Sequence, residues 1–208
     1  MQPSKIEWCD CTWNPVTGCL HRCPYCYART IANRFGKKVP DFSGYPLKNN
    51  SCHMLESEIE KNPYPWLFEP TFHASRIDEP QHRYLFLTKN GTRYEQLGLL
   101  PERENFWYGT TRTGVNKNLE HGASDHGNTF LSIEPLLSPV DAGTLNALEF
   151  FKWVIVGAET GTRKNKVVPQ HEWIQDIVEQ CRAEGVPVFL KNSLSKSWGE
   201  PLIQEFPW

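Results

Sequence analysis

Short, largely apolar runs rich in β-formers recur along the second half of the chain, at 83–87 (Arg-Tyr-Leu-Phe-Leu), 105–109, 129–133 (Thr-Phe-Leu-Ser-Ile), 153–157 (Trp-Val-Ile-Val-Gly) and 186–190. They lack the strict alternation of a sheet with one wet face, so both faces are expected to be covered. That pattern predicts strands of a parallel sheet with helices outside, and the steps between the runs are those of βα units. A helix is predicted over 171–183, where Trp173, Ile174, Ile177, Val178 and Cys181 share one face and Gly185 stops it. Shorter helices are predicted over 93–100 and 144–151. Between 113 and 128 the residues are polar, with several glycines and no apolar stripe, which predicts a loop.

The first half is less regular. Residues 6–16 alternate loosely and run into Asn14-Pro15-Val16-Thr17-Gly18, which reads as a strand ending in a tight turn. A helix is predicted over 28–35, closed by Gly36, so that Cys26 would sit at its amino terminus, where the helix dipole favours a thiolate. From 37 to 70 the chain is interrupted by Pro40, Pro46, Pro63, Pro65 and Pro70, with one short helix predicted over 54–61. A short strand at 71–73 places His73 near its end, where a lone histidine reads more readily as solvated or core than as a ligand.

Each strand of the second half is followed by polar residues: Thr88-Lys89, Thr110-Thr111-Arg112, Glu134, Glu159-Thr160-Gly161 and Lys191-Asn192. In parallel α/β folds these carboxyl-terminal ends converge on one rim, where ligands bind. Glu134 and Glu159 are candidate ligand contacts there, and glycines at 157 and 161 let backbone approach a ligand closely. Lys89, Arg112 and Lys191 are candidates to receive an anionic substrate or, alternatively, to neutralise the carboxylates. An eight-stranded barrel takes about 250 residues. A chain of 208 residues with no linker therefore predicts a single α/β domain, 1–208, built as an open or partial (βα) barrel of mainly parallel strands.

Composition narrows the partners. The net charge of −2 and pI near 6.4 argue against tight non-specific binding to nucleic acid. No apolar run approaches a membrane span and the first residues lack the apolar core of a secretory signal, so a cytoplasmic protein is expected. Eight tryptophans are expected to fill the core.

Seven cysteines in such a chain point to metal or redox use rather than disulfides. Cys19, Cys23 and Cys26 follow C-x3-C-x2-C spacing, and so short a loop can turn all three thiolates toward one point. Three thiolates suit a [4Fe-4S] cluster with one iron left open; structural zinc wants a fourth ligand, which Cys9 or Cys11 could supply. Cys9 and Cys11 read otherwise as small half-buried residues beside the first strand, and Cys52 and Cys181 as structural.

The cysteine motif followed by Tyr27 resembles the signature of the radical S-adenosylmethionine (SAM) superfamily. The resemblance implies that the open iron chelates SAM, that one electron from the reduced cluster breaks a carbon–sulfur bond, and that the resulting 5′-deoxyadenosyl radical abstracts hydrogen from a substrate. It also implies an external electron donor, adenine held at Tyr25, and the SAM ribose or amino group held at Glu134 or Glu159. More closely, Lys5-Ile6-Glu7-Trp8, Thr12-Trp13-Asn14-Pro15-Val16-Thr17-Gly18-Cys19, Tyr84-Leu85-Phe86-Leu87-Thr88-Lys89, Leu131-Ser132-Ile133-Glu134-Pro135-Leu136 and Trp153-Val154-Ile155-Val156-Gly157-Ala158-Glu159-Thr160-Gly161 resemble an uncharacterised phage-associated radical SAM family, which implies a bacterial or phage-encoded protein. Against that pattern a βα unit is missing between 77–80 and 82–85, the helix before Thr129 is reduced to a polar loop, and Cys9 and Cys11 are additions. A likeness to spore photoproduct lyase-like enzymes around Leu87-Thr88-Lys89 implies a nucleic acid or nucleotide substrate. The alternative function is a non-catalytic zinc or iron–sulfur binding module, a phage accessory protein acting through contacts.

Overall fold

The five apolar runs form one parallel sheet, in the order in which they occur along the chain. The computed structural model describes residues 2–12, 24–26, 81–89, 91, 94, 100, 102–114 and 127–208. The chain falls into two compact units, Met1–Arg76 with Gly161–Lys164, and Ile77–Thr160 with Asn165–Trp208. The helices expected at 28–35 and 54–61, the strand at 71–73 with His73, and Cys52 lie outside the described residues.

In the first unit β1 (Gln2–Pro3) pairs antiparallel with β2 (Cys11–Thr12). The continuous strand expected over 6–16 is therefore corrected: residues 6–8 turn instead. The Ile6 N–H donates to Ser4 Oγ at 2.9 Å, the Ser4 N–H to the Asp10 carbonyl at 2.8 Å and the Cys9 N–H to the Ile6 carbonyl at 3.2 Å. A serine hydroxyl that satisfies a backbone donor two residues on offers the chain an alternative to a ladder, and here it wins over a loose alternation.

The second unit carries β3 (Tyr84–Thr88), β4 (Phe106–Arg112), β5 (Asn128–Ile133), β6 (Trp153–Val156) and β7 (Val188–Leu190), hydrogen-bonded in that order and all parallel. β5, β6 and β7 are buried nearly throughout, the covered-on-both-faces pattern expected of them. The strand order never reverses. With the right-handed crossovers that parallel units take, the described connections, β5 to β6 and β6 to β7, then lie on the same side of the sheet.

Paired residues of parallel strands share a face, so the register sorts the side chains. One face carries the rows Leu87, Gly109, Phe130, Trp153 and Thr111, Ser132, Ile155, Phe189; the other carries Phe86, Phe106, Tyr108, Leu131, Ile133, Val154, Val156, Val188 and Leu190. Gly109 has a steric reason. A Cβ there would come within 2.3 Å of Cζ of Phe130, which is fully buried. Gly109→Ala is expected to cost about 1–3 kcal/mol through overpacking. Urea denaturation of Gly109→Ala, Phe130→Leu and the double variant checks it: the two costs should combine to clearly less than their sum, because the smaller side chain vacates the space the methyl needs.

Of the helix expected over 93–100, Tyr94 is helical and Leu100 lies beyond it; the residues between are not described. The Tyr94 hydroxyl lies 2.8 Å from the Phe86 carbonyl and 3.1 Å from that of Gly109, sharing its one proton between β3 and β4. Burial pushes its pKa well above the ordinary phenol value, so it stays a donor.

Helix α1 (Ala142–Asn146) continues into a 3-10 turn (Ala147–Phe150), two residues ahead of the expected start. The cause is Asp141, which caps the helix by accepting from the Thr144 N–H at 2.9 Å and from the Thr144 hydroxyl at 3.1 Å. Asp141→Ala is expected to cost about 0.5–2 kcal/mol. The hydrogen bond from the Thr144 N–H holds the carboxyl below its usual range. A carboxylate with a depressed folded pKa contributes above its unfolded value, near 3.9, and loses that contribution as pH falls through the folded one. The gap between wild type and Asp141→Ala in urea melts should therefore be full at pH 6 and shrink below about pH 4.

Helix α2 (His171–Ala183) spans the expected residues and buries Ile174, Ile177, Val178 and Cys181, with Gly185 just past its end at φ 67°. Burial raises the Cys181 thiol to about 12, which fits a structural cysteine. A short helix α3 (Ser195–Trp198) follows, and the His171 ring stacks on Trp198 at 5.0 Å.

The last residues carry no predicted element, and Trp208, expected with the other tryptophans in the core, is 45% exposed. Gln204 bridges Phe189 antiparallel, the Leu190 N–H donates to the Ile203 carbonyl at 2.7 Å and the Glu205 N–H to the Val188 carbonyl at 3.0 Å, so the tail occupies the outer edge of β7. It then crosses the amino-terminal ends of the strands. Phe206 and Trp208 lie 5.6 and 5.3 Å from Trp153, Trp208 lies 5.6 Å from Trp107, and the Arg83 guanidinium sits 4.7 Å over the Trp208 ring.

Candidate functional site

At the carboxyl-terminal ends of β5, β6 and β7 the backbone pairing continues one step past the strands. The Glu134 N–H donates to the Arg112 carbonyl, the Gly157 N–H to that of Ile133 and the Lys191 N–H to that of Val156. This continuation lines up Glu134, Gly157 and Lys191 as the next row above Ser132, Ile155 and Phe189. The Glu134–Pro135 peptide is cis.

Lys191 Nζ donates to Glu134 Oε1 at 2.5 Å, with side chains 13% and 26% exposed. The pair arches from β7 to β5 across the end of β6, and Gly157 is what lets it lie there. A Cβ on Gly157 would meet Lys191 Cδ at 3.0 Å and Glu134 Cδ and Cγ at 3.1 Å. A part-buried, charge-assisted bond of this kind is among the stronger polar contacts, and each partner satisfies a charge the other would leave exposed to a low dielectric. Below it lies Ser132, 1% exposed, whose Oγ has no hydrogen-bond partner among the described residues.

The rim residues expected from the sequence separate into distinct settings. Glu134, Gly157 and Lys191 come together. Glu159 is 5% exposed and its Oε2 accepts from the Val167 N–H at 3.2 Å, tying down the segment that follows β6. Arg112 registers with Ile133, on the opposite face of the sheet from Ser132, and Lys89 is exposed beyond β3. The three cations therefore do not form one anion site. Lys191 takes the second of the roles open to it, neutralising a carboxylate. Gly161, at φ 94°, belongs to the first unit and is exposed.

Two contributors escaped the sequence. Ser193 Oγ accepts from the Ala158 N–H at 3.0 Å, fixing the backbone after Gly157. Ser132 reads in the sequence as one polar position in an apolar strand, and only the register shows which face it occupies.

In the first unit Pro24 and Tyr25 form a turn, with Tyr25 and the Cys26 thiol half-buried. Cys19, Cys23 and Tyr27 lie outside the described residues. Cys9, the candidate fourth zinc ligand, is half-buried in the β1–β2 hairpin and its thiol donates to Ser4 Oγ at 3.3 Å. Among the described residues, no three His, Cys, Asp or Glu side chains are gathered to hold a metal ion, and no helix is long and apolar enough to cross a membrane.

A family model described as "Protein of unknown function (DUF5131)" matches the chain at residues 3–79 and 67–204. The two stretches together take in nearly the whole sequence and overlap over 67–79. No curated protein and no solved structure matches it.

Proposed function

The chain belongs to the DUF5131 family, and from that premise and its own residues we propose that it is a radical SAM enzyme acting on a nucleotide or nucleic acid substrate. The observation that carries the reading is the spacing of Cys19, Cys23 and Cys26 with Tyr27 behind them. Three thiolates at this spacing suit a [4Fe-4S] cluster with one iron left open, whereas structural zinc would also take a fourth ligand, Cys9 or Cys11; the Cys9 thiol donates to Ser4 Oγ. When bound, that cluster supplies the electron that cleaves SAM reductively.

The chain's own residues would bind and orient. Cys19, Cys23 and Cys26 hold the metal group; Tyr25, and Tyr27 beside it, serve the adenine. Glu134, Glu159 and the 157–161 segment would serve the rest of SAM, and either Lys89 or Arg112 would meet an anionic substrate. A shortened, partial (βα) barrel is the fold this reading needs. The unreversed strand order supports it, since a barrel wall winds in one direction. A cytoplasmic setting, with an external electron donor, keeps the thiolates reduced.

The test is anaerobic reconstitution with iron and sulfide, followed by SAM and dithionite. A brown protein that releases 5′-deoxyadenosine supports the enzyme. A colourless protein with stoichiometric zinc overturns it in favour of a binding module.

A further inference from the structure

We propose that Ser193 is a positioning residue, which holds the backbone after β6 in the orientation that SAM binding needs. The inference rests on the function proposed above in assigning residues 157–161 to SAM, and adds a residue from another strand end that acts on them without touching the ligand.

The peptide plane between Gly157 and Ala158 is held at both of its polar ends. Its carbonyl, from Gly157, accepts from the Leu136 N–H at 2.8 Å, and its N–H, from Ala158, donates to Ser193 Oγ at 3.0 Å. One hold comes from the segment after β5 and the other from the 3-10 turn after β7 (Asn192–Leu194). Both are firmly seated: Leu136 and Leu194 are fully buried, the Lys191 N–H donates to the Val156 carbonyl at 2.9 Å and the Leu194 N–H to the Lys191 carbonyl at 2.8 Å.

Held by its carbonyl alone, the plane would be free to swing. A peptide unit turns on the two soft dihedrals that flank it, and a glycine on one side imposes few steric limits. Without the serine oxygen the Ala158 amide, in a residue only 8% exposed, would also lack its acceptor, a cost that favours a different orientation of the plane. Glu159 is the next residue, so such a swing carries its carboxylate away from the Val167 N–H, 3.2 Å from Oε2. Ser193 therefore fixes a candidate SAM contact through the backbone, from 35 residues away in the sequence.

The test has two arms. In the full chain without iron, SAM or reductant, amide hydrogen exchange of Ser193→Ala is expected to be about 3–10-fold faster at Ala158, the worth of one neutral hydrogen bond, with Val154 inside β6 unchanged. In the anaerobically reconstituted protein, KM for SAM is expected to rise about 3–10-fold with kcat unchanged, as for an interaction that serves binding rather than the chemical step. Ser193→Thr keeps the acceptor and should restore both values. Wild type that stays colourless after reconstitution overturns the SAM reading and this inference with it, and is recognised before any variant is compared. With an active wild type, unchanged exchange at Ala158, exchange that rises equally at Val154, an unchanged KM, a fall in kcat at constant KM, or a Ser193→Thr variant no better than Ser193→Ala overturns this inference alone.

Discussion

Cys26→Ala, reconstituted anaerobically with iron and sulfide, is expected to stay colourless and to release no 5′-deoxyadenosine, and Cys19→Ala and Cys23→Ala are expected to do the same. The loss should be complete rather than graded, because two thiolates do not hold a cluster that three hold with one iron left open. Cys9→Ala is the informative companion. If its thiol is spent on Ser4 Oγ in the hairpin, the variant keeps its colour and its SAM cleavage. If Cys9 were instead the fourth ligand of a zinc site, zinc stoichiometry would fall in Cys9→Ala as it does in Cys26→Ala. Iron, sulfide and zinc analysis of the five proteins, wild type included, decides between these outcomes.

Trp153→Ala should be among the most destabilising substitutions in the sheet unit. The indole is fully buried, touches Phe130, Phe189, Phe206 and Trp208, and donates from Nε1 to the Glu205 carbonyl at 2.9 Å. Truncating a buried tryptophan costs about 3–5 kcal/mol, a large share of the 5–15 kcal/mol typical of a whole domain. The substitution also removes the ring on which the tail docks. Trp153→Phe separates the two effects: it keeps a ring for Phe206 and Trp208 but leaves the Glu205 carbonyl without its donor. Urea denaturation should place it between wild type and Trp153→Ala. A Trp153→Ala cost below about 2 kcal/mol would show that the tail contributes no packing.

β5 and β6 were legible because a fully covered strand has no choice but to be apolar on both sides, and Phe130, Leu131, Ile133, Val154, Ile155 and Val156 are all fully buried; β3 was legible from its β-formers although its residues are only half-buried or exposed. Helix α2 was legible for the complementary reason, one apolar stripe ending at a glycine. What the sequence did not reveal is which partners pair over distance. Neutralising a rim carboxylate was one role open to Lys191, but Glu134 stands 57 residues away, and nothing local selects it over Glu159. The tail was hidden by its own brevity: a single bridge at Gln204 and a few aromatic contacts leave no periodicity to read in Leu-Ile-Gln-Glu-Phe-Pro-Trp. The turn at residues 6–8 was misread because one serine hydroxyl outweighed a weak alternation.

Where Trp208 comes to rest has a practical side. Its ring packs on Trp153, the first residue of β6, whereas Gly157 lies beyond the last, roughly 13 Å away along a strand. A biotin, a fluorophore or an affinity handle attached at Trp208 would leave from the floor of the sheet, at the opposite end of the strands from Glu134 and Lys191.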